Sequence, residues 1–411
     1  LPARGYAHVV REDPRNSDLV YVGTELGIFA SWTRGGQWVD IRLGLPRVAV
    51  RDILVHPRDN DLIIGTHGLS VFIMDDISPL QEMSQAVADG PTIFTPRAAT
   101  RFEPWAARFR FDLGDGVFVG ENLPYGAGLA LYLPPEEDSE EAGASESAAG
   151  APDADDEGQS GEETDDESAV SDSVRVVITG AGGDTVRVLR AERSGGVTRL
   201  AWDLREEGAH PPEERGAYRF GPAPARVLPG DYTVSLSTDR EGETAASKGV
   251  RVVLDSRIDW DPDLAGQQSA LRTLYAHGQR GAEAVRALDE ITEQLGALSE
   301  RLAALAEDHP GGALSGAVDS LTARVDSVRE SLARDDSERP GSEAVLSKIQ
   351  GIYGQIARST NGPTVPQAEW VEEFASELDA VLQQVEQVLE VEVPRLNDRI
   401  RDAGVTFIGS G

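Results

Sequence analysis

Two related sequence segments near the start of the chain constrain its fold more than any other feature. Residues 13–25 read DPRNSDLVYVGTE and residues 56–67 read HPRDNDLIIGTH. The prolines of the two segments are 43 residues apart and the Gly-Thr pairs are 42 residues apart, so the spacing of the repeat differs by one residue between these positions. A period of about 40–45 residues, made of short β-type runs and turn residues, is the size of one four-stranded propeller blade.

The repeat predicts one full blade and part of another. We expect strands at 7–10, 19–23, 28–31 and 37–41 in the first unit, and at 50–55, 62–65 and 70–74 in the second. Turn formers separate these runs. Because a closed propeller takes about four to eight blades and the chain opens inside a blade, we expect further blades of the same protein upstream of Leu1.

A hairpin signature lies inside the first unit. Residues 31–38 read SWTRGGQW and resemble a degenerate Asp-box, the S-x-D-x-G-x-T-W turn of sialidase-type and sortilin-type propellers. Ser31, Gly35 and Trp38 match the motif, whereas Thr33 stands at the position of its Asp and Gln37 at that of its Thr. In that family the box is a structural turn, so we expect a hairpin that stabilises the blade, not a ligand site.

The wider stretch, about residues 5–130, resembles the last blades of bacterial sortilin-like, BNR-repeat proteins often labelled glycosyl hydrolases. The residues that carry the resemblance are 21–27 (YVGTELG), 50–52 (VRD), 56–62 (HPRDNDL), 65–68 (GTHG) and 73–80 (IMDDISPL). The resemblance implies an extracytoplasmic protein that is secreted, periplasmic or on the cell surface. One departure is Leu69-Ser70, where the family usually has Arg-Gly, so any role of that arginine is lost.

Three further regions follow the blades, which we place at 1–80. Residues 81–126 are a connector, and residues 127–256 hold short strands whose spacing predicts an Ig-like or fibronectin-like β-sandwich. This sandwich is interrupted at 136–172 by a stretch of Glu, Asp, Ser, Ala and Gly that has almost nothing to bury and predicts a disordered acidic insertion.

Residues 257–405 change to a helical period. Apolar residues step by three and four from Leu288 to Leu389, with breakers at 309–312, 339–341 and 361–363. Four amphipathic helices joined by short links predict an antiparallel four-helix bundle, with Asp261 as the first cap and Pro394 kinking or ending the last helix. The alternative is a coiled-coil dimer, which the repeated breakers disfavour.

The chain is strongly acidic, with a formal net charge of −33 at pH 7. Residues 136–172 contain 16 acidic residues and no basic one, so a net charge of −17 remains elsewhere. Lysine occurs only at Lys248 and Lys348. Such a surface predicts a salt-adapted, halophilic source, although an ordinary acidic secreted protein shares this composition. Nucleic acid and anionic membranes are excluded as partners, because both need a basic face.

Composition also limits the chemistry. The chain has no cysteine, which excludes disulfides, thiolate metal sites and cysteine nucleophiles. It has no apolar run of about 20 residues, so we expect no membrane insertion. No P-loop, G-x-S-x-G or zinc motif occurs in a fitting context, and we expect no cofactor and no metal.

Four residues are candidates for ligand binding. Glu25 and His67 occupy equivalent turns between the second and third predicted strands, and Arg51 and Asp52 begin an innermost strand. Turns on one propeller face often line a ligand site, so these four side chains could converge near the axis. The alternative is that His67 is a turn residue and Asp52 an ion-pair partner.

Two functions remain open, and we expect no catalytic residue in this part of the protein. The first is a non-catalytic extracytoplasmic binding protein, whose propeller recognises a protein or a carbohydrate. The second is a glycoside hydrolase of the sialidase or xyloglucanase type, with its catalytic carboxylates in blades upstream. Such an enzyme needs two carboxylates about 5–9.5 Å apart, and Asp75-Asp76 would point to opposite faces of a strand.

Overall fold

The fold is multidomain and combines β-sheets with helices, as the sequence predicts. The computed structural model describes residues 1–2, 4–42, 44–102, 123–135, 173–193, 195–208, 222–238, 243–303, 314–333 and 344–404. The chain divides into two compact units. The first holds residues 1–101, 106–204 and 229–253, and the second holds 102–105, 205–228 and 254–411. The described residues 205–208 and 222–228 therefore belong to the helical unit, although the sequence predicts them within the sandwich.

Each repeat forms an antiparallel meander. The first repeat sheet has the order β1-β2-β3-β4 and the second repeat sheet has the order β5-β6-β7. The strands are β1 (Ala7–Glu12), β2 (Val20–Thr24), β3 (Gly27–Ser31), β4 (Val39–Asp40), β5 (Val50–Val55), β6 (Leu62–Thr66) and β7 (Val71–Met74). The predicted strands are thus present to within one or two residues at each end.

The two repeat sheets share one hydrophobic core. Its buried members are Val9, Leu19, Tyr21, Ile28, Ala30, Ile41, Leu45, Val48, Val50, Ile53, Leu62, Ile64 and Ile77. Gly23 lets the sheets approach each other, because a Cβ at this position would lie 2.7 Å from Cγ1 of both Val9 and Val50. Close packing of the two sheets therefore explains the glycine of the Gly-Thr pair in the first repeat.

The degenerate Asp-box forms the turn between β3 and β4. Ser31 Oγ accepts a hydrogen bond from the Gly35 N–H at 2.8 Å, and Thr33 Oγ1 accepts one from the Gln37 N–H at 2.8 Å. The Thr33 hydroxyl therefore supplies the acceptor that the motif takes from Asp. Trp32, and not Trp38, packs against the shared core and donates its indole N–H to the Leu80 carbonyl at 2.6 Å.

A helix that the sequence analysis did not predict follows the second repeat. Helix α1 (Ser78–Asp89) begins with Pro79 in its first turn, a position that suits proline. Its residue Ala86 packs with Phe94 and Ala130 in a small separate cluster. The connector region is therefore partly helical.

Two further sheets complete the first unit. They have the orders β12-β11-β14-β15-β9 and β13-β10-β8. The strands are β8 (Thr92–Ile93), β9 (Ala99–Arg101), β10 (Ala127–Leu133), β11 (Ser173–Thr179), β12 (Thr185–Glu192), β13 (Gly196–Trp202), β14 (Gly230–Ser237) and β15 (Thr244–Leu254). Trp202 is fully buried and meets Tyr232 edge-to-face at 5.2 Å. The acidic segment 136–172 and residues 103–122 of the connector lie outside the described residues.

The second unit is built of helices around one hydrophobic cluster. They are α2 (Leu264–Ala303), α3 (Ser315–Leu332), α4 (Val345–Ala357), α5 (Val365–Gln387) and α6 (Val393–Asp402). Helix α4 runs antiparallel to α2, since Gln267 at the start of α2 donates to the Ile356 carbonyl near the end of α4, while Gly281 meets Leu346 at its start. None of the helices in the described ranges is both long and apolar enough to cross a membrane.

The ends of the bundle differ in detail from the sequence prediction. The cap of α2 is Asp263, whose carboxylate accepts the Gly266 N–H at 3.0 Å, and not Asp261. Pro394 does not end the last helix, because a π-helical turn over Val388–Glu392 precedes it and the chain continues as α6. Proline cannot donate to the preceding turn, and a π-turn is a common adjustment at such a site.

Candidate functional site

Both repeats carry a β-bulge at the same position of their first strand. The pairing of β1 with β2 shifts at His8, and the pairing of β5 with β6 shifts at Arg51. These residues are 43 positions apart, which is the repeat period. A bulge leaves one residue outside the ladder and redirects its side chain, so the repeat aims His8 and Arg51 in equivalent ways.

The two bulged side chains meet each other. Arg51 Nη1 lies 3.2 Å from His8 Nδ1. A guanidinium can only donate, so we assign Nδ1 as the acceptor and place the imidazole proton on Nε2. His8 Nε2 is buried and has no hydrogen-bond partner within the described part of the chain. One polar N–H at this contact is therefore left unsatisfied.

Glu25 and His67 lie beside the bulges at equivalent turns. The Glu25 N–H donates to the Tyr6 carbonyl at 3.1 Å, and the His67 N–H donates to the Ala49 carbonyl at 2.8 Å. The two acceptors are again 43 residues apart. Thr24 and Thr66, which precede these turns, pair with the residue just before each bulge, Ala7 and Val50. Glu25 and His67 therefore lie at the same end of the strands as His8 and Arg51.

Asp52 has a different partner. Its Oδ1 accepts hydrogen bonds from Arg11 Nη2 at 2.9 Å and from the Ile53 N–H at 2.9 Å. Arg11 also donates from Nε to the Ile53 carbonyl at 3.0 Å, so the pair joins β1 to β5. Asp52 is thus engaged in an exposed ion pair between strands.

The structure places Glu25, Arg51 and His67 at the same end of the strands and adds a residue that the sequence analysis missed. The added residue is His8. A signal for it was present, because His8 stands one period before Arg51. Tyr6 precedes β1, accepts the Glu25 N–H on its carbonyl and is 74% exposed, so it adds an exposed phenol to this end of the strands. We call Tyr6, His8, Glu25, Arg51 and His67 the bulge face.

A second polar cluster, around Asp13, is buried and fully paired. Asp13 Oδ2 accepts from the Tyr21 hydroxyl at 2.9 Å and from Gln81 Nε2 at 2.9 Å, and Asp13 Oδ1 accepts two backbone N–H groups. Gln81 also exchanges hydrogen bonds with Asn60 at 3.0 Å. Burial, and then the nearby Asp13 carboxylate, hold the pKa of Tyr21 well above its usual range. This cluster links both repeats to α1 and is structural.

The adjacent carboxylates Asp75 and Asp76 belong to a turn. Asp76 has a left-handed φ of 48°, and its Oδ1 accepts from the Ser78 hydroxyl at 2.6 Å, at the start of α1. The Asp76 N–H donates to Asp61 Oδ1 at 2.9 Å. Within the described ranges, no group of three or more His, Asp or Glu side chains is placed to hold a metal ion.

No protein-family model, no curated protein and no solved structure matches this chain. The bulge face is therefore interpreted from its own geometry. It offers a guanidinium, two imidazoles, one carboxylate and a phenol ring at one end of two packed sheets.

Proposed function

We propose that the chain is part of an extracytoplasmic β-propeller protein of the sortilin-like, BNR-repeat type, in which the two repeat sheets are blades. In this proposal the sheets formed by β8–β15 make an Ig-like or fibronectin-like sandwich, and the helices form a spacer or docking part. The bulge face binds a ligand without catalysing a reaction. The observation that carries this proposal is the contact between His8 and Arg51, which arises because both repeats bulge at the same position.

The chemistry of the bulge face favours a glycan over a protein as the ligand. Sugar hydroxyls pair well with a guanidinium, an imidazole and a carboxylate placed close together, and a sugar ring stacks on an exposed phenol such as that of Tyr6. The unpartnered Nε2 of His8 is a donor that a ligand hydroxyl could satisfy.

Binding without hydrolysis fits the carboxylates of this face. Glycoside hydrolysis needs two carboxyl groups across the scissile bond. Asp52 is tied to Arg11, so Glu25 is the carboxylate that remains beside the bulges. The bulge face therefore holds one of the two groups that the reaction requires.

A glycan array probed with the complete 411-residue chain tests the proposal. We expect binding to a subset of glycans, with affinity reduced at least about tenfold in Arg51→Ala, because one charged hydrogen bond contributes about 1.5–3 kcal/mol. Arg58→Ala is the matched control, since Arg58 is another exposed arginine, in the turn after β5, where it pairs with Asp59. We expect no cleavage of the bound glycans.

Two results would contradict this function. One is binding that Arg51→Ala and Arg58→Ala weaken equally, which would remove the bulge face as the site. The other is release of sugar from a bound glycan by the unmodified chain, which would make the protein a hydrolase.

A further inference from the structure

A groove lies between α3 and the last turns of the helical unit. It has a volume of about 530 Å³ and is lined by residues within 316–321 of α3 and 392–399 at α6. Arg324 of α3 lies 3.9 Å from Glu392, at one end of the groove. Because the groove extends from there toward the start of α3 and toward the end of α6, the two helices run antiparallel. We call the space between residues 316–321 and 392–399 the arginine groove.

The groove stays open because α3 presents small side chains to it. Gly316, Ala317 and Ser320 line this side, and a Cβ added at Gly316 would meet nothing within 4 Å. The Ser320 hydroxyl donates to the Gly316 carbonyl at 2.6 Å, so it lies against its own helix. The side chains of α3 are therefore too short to fill the space up to α6. A volume of this size is within the range of sites for small ligands.

Two leucines give the groove an apolar floor. Leu321 of α3 and Leu396 of α6 both line it, and both belong to the hydrophobic cluster of the helical unit. Each is 6% exposed. A molecule that occupies the groove therefore covers the edge of this cluster.

Two arginines of α6 line the groove above this floor. Arg395 and Arg399 are four residues apart on one helix, so their side chains are neighbours, with Cβ atoms about 5–6 Å apart. Both are exposed. Among the described residues neither guanidinium has a carboxylate partner. Glu392, the acidic residue that lines the groove, lies beside Arg324 instead.

An unpaired arginine pair stands out in this chain. Acidic residues outnumber basic ones by 71 to 38, yet the α3 side of the groove presents no carboxylate to Arg395 and Arg399. A guanidinium offers its N–H groups in a planar fork that matches a carboxylate. The complementary partner for the pair is therefore an anion from outside the chain.

We propose that the arginine groove binds a small organic carboxylate. Its carboxylate group is held by Arg395 and Arg399, and its apolar body lies on Leu321 and Leu396. The arginines select the charge, and the leucines select a body of several carbon atoms. This inference concerns the helical unit and does not depend on the ligand of the bulge face.

An NMR titration of the complete 411-residue chain with three small probes tests this ligand class. Hexanoate carries both the charge and the apolar body, acetate carries the charge alone, and 1-hexanol carries the body alone. At about 0.1 M salt, where close charges still attract each other, we expect hexanoate to bind at least about tenfold more tightly than either of the others. A charged hydrogen bond and the burial of several methylene groups each contribute at least that factor.

Three variants locate the binding site. Arg399→Gln should weaken hexanoate binding about tenfold or more, whereas the matched control Arg401→Gln should bind like the unmodified chain. Arg401 is an exposed arginine of the same helix that pairs with Asp398. Gly316→Leu fills the groove and should abolish binding, while leucine also favours the helix more than glycine does.

The contrary outcomes are distinct. The proposal is overturned if hexanoate does not bind, or if it binds no more tightly than acetate or 1-hexanol. It is also overturned if Arg399→Gln and Arg401→Gln weaken binding equally, or if Gly316→Leu binds hexanoate like the unmodified chain. Since the two arginine variants change exposed residues of one helix, a difference between them reports the groove and not the fold.

Discussion

At the residue scale, the repeat preserves hydrogen bonds while it changes the side chains that make them. Asp13 Oδ1 accepts the Asn16 N–H at 2.9 Å. One period later, His56 Nδ1 accepts the Asp59 N–H at 3.1 Å. A carboxylate and an imidazole thus close the same turn, because either can present an acceptor to a backbone N–H three residues ahead. Asp13 is buried and His56 is not, because Gln81 donates to the Asp13 carboxylate in the first turn but bonds Asn60, and not His56, in the second.

Tyr21 makes the first unit sensitive to alkaline pH. Its folded-state pKa is raised above the unfolded value of about 10, through burial and the Asp13 carboxylate. The protonated phenol therefore contributes stability that is complete below about pH 10 and is lost as the pH rises above that value. We expect the thermal midpoint to fall more between pH 8 and pH 11 in the unmodified chain than in Tyr21→Phe.

The matched control for this experiment is Tyr6→Phe, which changes an exposed tyrosine. It should lose as much stability at alkaline pH as the unmodified chain. A Tyr21→Phe variant that is as alkali-sensitive as the control would show that another group causes the loss.

Thr33 is expected to stabilise the turn between β3 and β4 through its hydroxyl. Thr33→Val keeps the shape of the side chain but removes the acceptor for the Gln37 N–H. Since one hydrogen bond of this kind contributes about 0.5–1.5 kcal/mol, the variant should unfold at lower urea concentration. Thr33→Ser retains the hydroxyl and should lose less. A larger loss in Thr33→Ser than in Thr33→Val would mean that the methyl group, and not the hydrogen bond, stabilises the turn.

At the element scale, the glycines of α2 differ in how closely neighbouring residues pack against them. A Cβ at Gly281 would lie 2.4 Å from Leu346 Cδ2, and a Cβ at Gly278 would lie 2.4 Å from Pro222 Cδ. A Cβ at Gly296 would meet nothing within 4 Å. Close packing thus requires glycine at the first two positions, whereas Gly296 only weakens the helix.

Alanine substitutions in α2 separate packing from helix propensity. Gly296→Ala should raise the free energy of unfolding by about 0.8–1 kcal/mol, which is the difference in propensity. Gly281→Ala gains the same propensity but forces the buried Leu346 to move, and overpacking costs about 1–3 kcal/mol. We therefore expect Gly281→Ala to be less stable than Gly296→Ala in chemical denaturation. The opposite order would show that the contact between α2 and α4 is loose.

At the scale of the whole molecule, charge is expected to control stability. With 71 acidic and 38 basic residues, the folded chain is subject to repulsion between its carboxylates. Salt screens this repulsion, so the thermal midpoint should rise between about 0.1 M and 1 M KCl. Scanning calorimetry across this range measures the effect. A midpoint that stays constant or falls would contradict the prediction of a salt-adapted protein.

Elements with strong local patterns were predictable from the sequence. The bounds of β5 match the predicted run 50–55, and α3 and α4 follow their apolar steps. Alternation and heptad-like spacing are properties of short segments, so they can be recognised without knowledge of the tertiary contacts. Helix α1 was missed because it buries a glutamine and few large apolar residues, so its apolar periodicity is weak. The buried glutamine, Gln81, is explained only by its hydrogen bond to Asp13, which is far away in the sequence.

The candidate site was predictable only in part, because its contacts join residues that are far apart in the sequence. The repeat, with its spacing of 42 or 43 residues, predicts that Glu25 and His67 are equivalent and that Arg51 has a counterpart one unit earlier. Three facts follow only from the folded chain: His8 contacts Arg51, Asp52 pairs with Arg11, and Tyr21 and Ala30 are buried while Ile73, at the repeat position of Ala30, is exposed. A repeat specifies equivalent local conformations along the chain, whereas contacts between sheets depend on groups far apart in sequence that packing brings together.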